Sequence, residues 1–174
     1  MVMPEYWART GVERGGSANT NVIHIQHADR PLWGEHIAHA IRAVENGRSW
    51  NCPVMSSASV SGTRVIVNFA SEWPLVIDKT FCKVRDDLGF TVNEGAIVIN
   101  NVTQTGPRQF TLQCATNPAG TSVEYAWRQQ DANDIADNWA ISTGAIREAW
   151  EAPSMFDPFG RKVIRPALAY RLSL

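Results

Sequence analysis

The hydrophobic pattern of this chain changes character twice. Between residues 29 and 46, Trp33, Ile37, Ala40, Ile41 and Val44 recur at helical spacing, while Glu35, Arg42 and Glu45 fall elsewhere. Asp29 can cap the start, Pro31 fits a first turn where a missing N–H costs nothing, and Gly47 supplies the stop. The spacing therefore predicts a helix over 29–46 that lays its Trp/Ile/Val face on something large.

After Trp50 the period shortens to two. VMSSASVS (54–61) and TRVIVNF (63–69) alternate, and Gly62 between them reads as a hairpin turn. Further strand candidates are PLVID (74–78), FCKVRD (81–86), FTVNE (90–94), AIVINNVTQ (96–104), RQFTLQCA (108–115) and SVEYAWR (122–128). Gly89, Gly95, Gly106-Pro107 and Pro118-Ala119-Gly120 punctuate them. Short strands with no helical pattern between them predict an antiparallel β-sandwich and exclude a βαβ arrangement. From residue 129 the pattern dissolves. QQDANDIADN is polar, ISTGAIREAW suggests a short helical turn, and the Pro-rich end closes on one strand near 167–172. This tail is expected to wrap the sandwich or to touch a neighbouring subunit. The expected organisation is thus 1–48 (loop and helix), 49–130 (sandwich) and 131–174 (irregular tail), an α+β chain.

Composition narrows the classes. With 44% hydrophobic and 19% charged residues a packed core is expected. The formal net charge of −1 offers no basic field for nucleic acid or for a membrane surface. No apolar run approaches the ~20 residues of a membrane span. The opening MVMPEYWARTG lacks the basic-then-apolar pattern of a secretory leader. Three widely spaced cysteines, Cys52, Cys82 and Cys114, suit buried thiols better than a disulfide framework or a zinc site. No G-x-S-x-G elbow and no G-D-S block occurs. Residues 1–20 read as a Gly-rich loop without periodicity, as expected if the chain is the C-terminal part of something longer.

All four histidines lie in two H-x-x-H pairs, His24/His27 and His36/His39. On a helix, His36 and His39 can approach each other, but zinc needs a third or fourth ligand, and no H-E-x-x-H motif is present. Ordinary helix histidines explain them. His24 follows the apolar Val22-Ile23, as though a short strand delivers it to a loop before the helix. That position suits a general base; it equally suits a loop histidine packed nearby. The tryptophans are open in the same way. Tyr125 and Trp127 alternate in a strand, and an exposed Trp there would suit a sugar ring. For Trp50, Trp73, Trp139 and Trp150, core and binding roles both stand.

Several stretches in order resemble SGNH/GDSL-type esterases. Asn21-Val22-Ile23-His24 sits where that family has its D-x-x-H block, and ADRPLWGEHIAHAI resembles the helix that follows it. Val60-Ser61-Gly62-Thr63-Arg64-Val65-Ile66-Val67-Asn68-Phe69 and Val123-Glu124-Tyr125-Ala126-Trp127 resemble strands of the β-sandwich extension in sialate O-acetylesterase-like carbohydrate esterases. TGAIREAW and the Pro-rich end are similar to segments of bacteriophage tail-spike esterases of that branch. The resemblance covers about residues 19–130 well and the tail loosely.

It implies a remnant of the SGNH α/β domain, the catalytic-histidine loop and C-terminal helix, followed by the sandwich. It implies a serine carbohydrate O-acetylesterase with no cofactor, an acetylated polysaccharide or glycan as partner, and a virion-tail or extracellular setting. His24 would be the catalytic histidine, oriented by Asn21 in place of the family's Asp, with His27 and Arg30 at the substrate. Two departures matter. The serine, glycine and asparagine blocks of the family are missing, so the chain alone should be inactive. Asn21 can orient an imidazole but cannot stabilise its cation as a carboxylate does; Asp29 is the nearest substitute acid. Asp29-Arg30-Pro31 also stands where the family has G-Y-R. A non-catalytic glycan-binding or trimerisation module of a phage tail fibre is the second reading. A metal-dependent hydrolase using the four histidines is the third.

Overall fold

Alternation builds the centre of the molecule. The protein is described here from a computed structural model covering residues 30–80, 86–127, 144–157 and 160–174. β1 (Val54–Ser61) and β2 (Arg64–Ala70) form the expected hairpin, antiparallel, with Gly62 at φ +64° in its turn. The left-handed value is one a Cβ disfavours, which is why glycine sits there. In β2, Val65, Val67 and Phe69 point inward; in β6 (Gln109–Cys114), Phe110, Leu112 and Cys114 do. With β5 (Ile99–Gly106) these strands make a four-stranded antiparallel sheet in the order β1-β2-β6-β5.

A second sheet, β10-β7-β4, is centred on β7 (Ser122–Tyr125), flanked by β4 (Phe90–Val92) and β10 (Tyr170–Ser173). Phe69 of the first sheet meets Phe90 and Tyr125 of the second, and Phe110 meets Phe90, in edge-on and tilted contacts at 5.9–6.3 Å, the middle of one shared core. Glu124, fully buried in β7, is satisfied by the hydroxyls of Thr91 and Ser122 and by the Glu94 N–H, with Arg171 alongside. The third sheet, β3-β8-β9, comprises β3 (Leu75–Ile77), β8 (Ile146–Pro153) and β9 (Lys162–Pro166). The described residues are therefore α+β: one helix and three antiparallel sheets.

Three expectations change. ISTGAIREAW does not supply a helical turn within its described residues. Its second half opens β8, because Ile146 and Glu148 alternate inward at period two. The tail is not irregular, since β8, β9 and β10 all lie in it. The helix, α1 (Arg30–Glu45), has the expected extent but is rotated about its axis, so that of the expected face only Ala40 is buried and Trp33 packs partly buried against the core. Leu32, Glu35, His36 and Ala40 are buried, whereas Ile37, Ile41 and Val44 are 39%, 54% and 66% exposed. The cause is a pair of polar anchors. His36 Nδ1 meets the Leu32 carbonyl at 2.7 Å, and its Nε2 accepts the Ile164 N–H of β9 at 3.2 Å. Glu35 Oε1 accepts the N–H groups of Met155 and Phe156 at 2.6 and 2.9 Å. Buried polar groups with partners outweigh an apolar stripe when the backbone they satisfy would otherwise be orphaned. Of FCKVRD, residues 81–85 lie outside the described set, and Asp86 starts a turn.

Candidate functional site

The C-terminal half of α1, the segment that follows it, the β2–β3 connection, β8 and β9 enclose an open cleft of about 470 Å³. Its floor is an arginine between two tryptophans. Arg165, from β9, places its guanidinium carbon 4.4 Å from the Trp50 ring centre and 4.8 Å from that of Trp150. The two indoles meet edge to face at 5.3 Å. His39 completes the wall, stacked 6.1 Å from Trp50 and edge-on at 5.8 Å to Trp150. Cation–π contacts of this kind contribute roughly 0.5–2 kcal/mol each, more when desolvated.

Arg165 is buried, so its charge needs partners. Its Nη1 donates to Glu72 Oε2 at 2.7 Å and to Glu148 Oε2 at 3.2 Å. Glu148 is fully buried, and its other oxygen accepts from Ser71 Oγ at 2.8 Å and the Glu72 N–H at 2.9 Å. One carboxylate thus ties the β2–β3 connection, β8 and β9 together beneath the cleft. Among the described residues Arg165 Nε is buried without a hydrogen-bond partner, an unmet donor that costs stability.

The rim is positive. Arg42 and Arg48 line the cleft exposed, and neither has an ion-pair partner among the described residues. Trp73, 45% exposed, faces them from the β2–β3 connection. A second open cleft, of about 400 Å³, lies along Asn51, Cys52, Val54 and Leu168 and shares Ser49 and Glu72 with the first. Ser49 and Glu72 stand where the two parts of this groove adjoin.

The residues singled out from sequence fall apart in space. Asn21, His24 and His27 lie outside the described residues, as do Asp29, Cys82 and Trp139. Arg30 begins α1 exposed, about 18 Å along the axis from Arg42 at 1.5 Å per residue, and does not line the groove. His36 has both ring nitrogens engaged by backbone, and burial holds its pKa below the ordinary value. Among the described residues neither His36 nor His39 hydrogen-bonds a hydroxyl or thiol. Cys52 and Cys114 are buried, and burial pushes the Cys52 thiol up to about 12, so it stays protonated at neutral pH. Among the described residues no three His, Cys, Asp or Glu side chains gather as a metal site. Trp127 is 56% exposed at the end of β7, while Tyr125 is core.

Sequence reasoning left Trp50, Trp73 and Trp150 undecided and missed Glu148 and Arg165. The available signal was a charged residue within an otherwise apolar strand, Glu148 two after Ile146 in β8 and Arg165 directly after Val163-Ile164 in β9.

No protein-family model matches the chain, and no curated protein does. Among solved structures, the chain is similar to a carbohydrate acetylesterase from Xanthomonas citri. The TM-score is 0.47 and the identity 17%, over 81% of this chain and 27% of that one. The chain thus spans about a quarter of the length of that enzyme.

Proposed function

We propose that the chain is the carbohydrate-binding C-terminal part of a serine O-acetylesterase, and that the groove holds the polysaccharide whose acetyl groups are removed. The observation that carries the binding role is the Trp50–Arg165–Trp150 floor with Trp73 exposed beside it. Sugar rings present C–H faces to indoles and hydroxyls to fixed polar groups, and the groove supplies both.

The esterase role rests on the sequence resemblance. A serine from outside this chain attacks the ester carbonyl while His24 takes its proton. The tetrahedral intermediate then expels the sugar oxygen, which receives that proton from His24 and leaves the acetyl group on the serine. Asn21 orients the imidazole, with His27 and Arg30 beside the substrate. The reading calls for no metal or organic cofactor.

A polysaccharide array probed with the chain, alongside Trp73→Ala, tests the binding role. Binding lost in the variant is expected; no glycan bound by either protein refutes it. Hydrolysis of p-nitrophenyl acetate by the chain alone, well above His24→Ala, refutes the external serine. An assembly role in a phage tail fibre is the second reading, favoured by the exposed Ile37, Ile41 and Val44 stripe. A concentration-independent monomer in sedimentation refutes it.

A further inference from the structure

The side of α1 turned away from the core carries a heptad pattern. Gly34, Ile37, Ile41 and Val44 follow one another at steps of three, four and three, the a and d positions of a two-helix seam, with Ala38 beside them. All five are exposed, and a Cβ at Gly34 would meet nothing within 4 Å. Leu32, His36 and Ala40 hold the opposite side to the rest of the fold.

We infer that this face pairs with the same face of a second copy, the two α1 helices running antiparallel about a two-fold axis beside Ile37 and Ala38. The inference rests on the assembly reading and gives it a surface and a geometry.

The seam fits itself, as a two-fold contact must. When Ile37 of each helix faces Ala38 of the other, Ile41 falls opposite Gly34, so every large side chain meets a small residue. The bare backbone at Gly34 then lets the axes approach to the near end of the usual ~8–10 Å. The charges fit the same alignment. Glu45 sits in the last turn of its own helix, where the dipole disfavours a carboxylate, and it makes no ion pair among the described residues. Antiparallel pairing brings it to Arg30 and to the amide end of the other helix. Parallel pairing would instead set Glu45 against Glu45, Ile41 against Ile41 and Gly34 against Gly34. One helix seam is smaller than the ~1,200–2,000 Å² of a standard interface, so the dimer is expected to be weak, with a Kd of about 1 µM or above.

The test is sedimentation equilibrium of the chain from about 1 µM to about 1 mM, the range that brackets such affinities. A monomer–dimer equilibrium is expected. Ile41→Glu, with its fold checked by circular dichroism, should weaken it about tenfold or more by burying a charge in the seam. Gly34→Leu separates a fitted seam from a merely adhesive patch. Leucine has room there in the monomer and favours the helix, yet it fills the space for Ile41 and should weaken the dimer about tenfold or more. Under copper–phenanthroline in air, Ala38→Cys should crosslink to itself above the wild-type background. Glu45→Cys should not, because its two copies lie roughly 22 Å apart along the axis at 1.5 Å per residue. Association untouched by Ile41→Glu, or strengthened by Gly34→Leu, overturns the inference and leaves the assembly reading on another surface. Trimers, or self-crosslinking at Glu45→Cys, overturn the antiparallel pair in the same way. A monomer at every concentration overturns both and leaves the face to the serine-bearing polypeptide.

Discussion

His36 in α1 accepts a hydrogen bond from the Ile164 backbone N–H in β9, 3.2 Å away, and this bond exists only while the imidazole is neutral. With Nδ1–H donated to Leu32, Nε2 must be the acceptor; a second proton would turn it toward an N–H. Burial holds the His36 pKa below that of an ordinary histidine, 6.5. The unfolded chain therefore binds the proton first as pH falls. Stability should be flat above pH 6.5, decline below it, and level off once pH is under the folded pKa. Urea unfolding of the chain and of His36→Leu between about pH 5 and 8 measures this, the range where histidine titrates. The variant should lose stability throughout, because the Ile164 N–H is left bare, by roughly 1–3 kcal/mol. It should also show a shallower acid slope. Parallel slopes would mean that other histidines carry the pH dependence.

Arg165 and Glu148 should behave as one unit. Arg165→Met strips the partner from a fully buried carboxylate, so a loss of about 3–5 kcal/mol is expected. Glu148→Gln keeps the shape and some hydrogen bonding, and should cost less. The double variant should be more stable than the sum of the single losses predicts, because no buried charge is then left alone. Additive losses in denaturant titrations would show that the pair is not coupled.

How far the sequence disclosed this structure differs from element to element. The β1–β2 hairpin was readable because its alternation is clean and Gly62 marks a left-handed turn. The extent of α1 was readable from its caps, but not its orientation. Counting apolar residues favours the Ile37, Ile41 and Val44 face, and the bonds that turned the helix run from His36 to a residue 128 positions away. β8 read as helical because Ala, Arg and Glu are good helix formers, and because an acidic residue on its inner face hid the alternation. The groove was invisible for the same reason: Glu148 and Arg165 explain each other only once β8 and β9 are paired. His24 and Asn21 lie outside the described residues, so the catalytic reading rests on resemblance.

Gly144 carries a prediction from close approach. A Cβ there would overlap the Tyr125 hydroxyl and ring, and that hydroxyl accepts the Ile146 N–H at 2.9 Å. Tyr125 is fully buried, so it has no room to yield. Gly144→Ala should destabilise by roughly 1–3 kcal/mol through overpacking. Tyr125→Phe should cost about 1 kcal/mol through the lost bond. In combination the clash is eased but not removed, since ring carbons also crowd the site. A thermal melt in which Gly144→Ala is neutral would contradict this packing.

The face that α1 presents can be decided by two truncations on the same helix. Leu32 is buried under α1, while Ile41, nine residues on, is more than half exposed. Leu32→Ala removes packed methyls and leaves a cavity, so a loss of about 2–5 kcal/mol is expected. Ile41→Ala should change stability by no more than about 0.5 kcal/mol, since its side chain meets little but water and alanine is the better helix former. Both variants keep the helix intact, so the difference reports only which side is packed. If the chain self-associates through the stripe, Ile41→Ala should lower the apparent stability more at high than at low protein concentration, because dimerisation adds to stability by mass action. A large, concentration-independent loss at Ile41 with little at Leu32 would instead place the apolar stripe inward and require the His36 and Glu35 anchors to be broken.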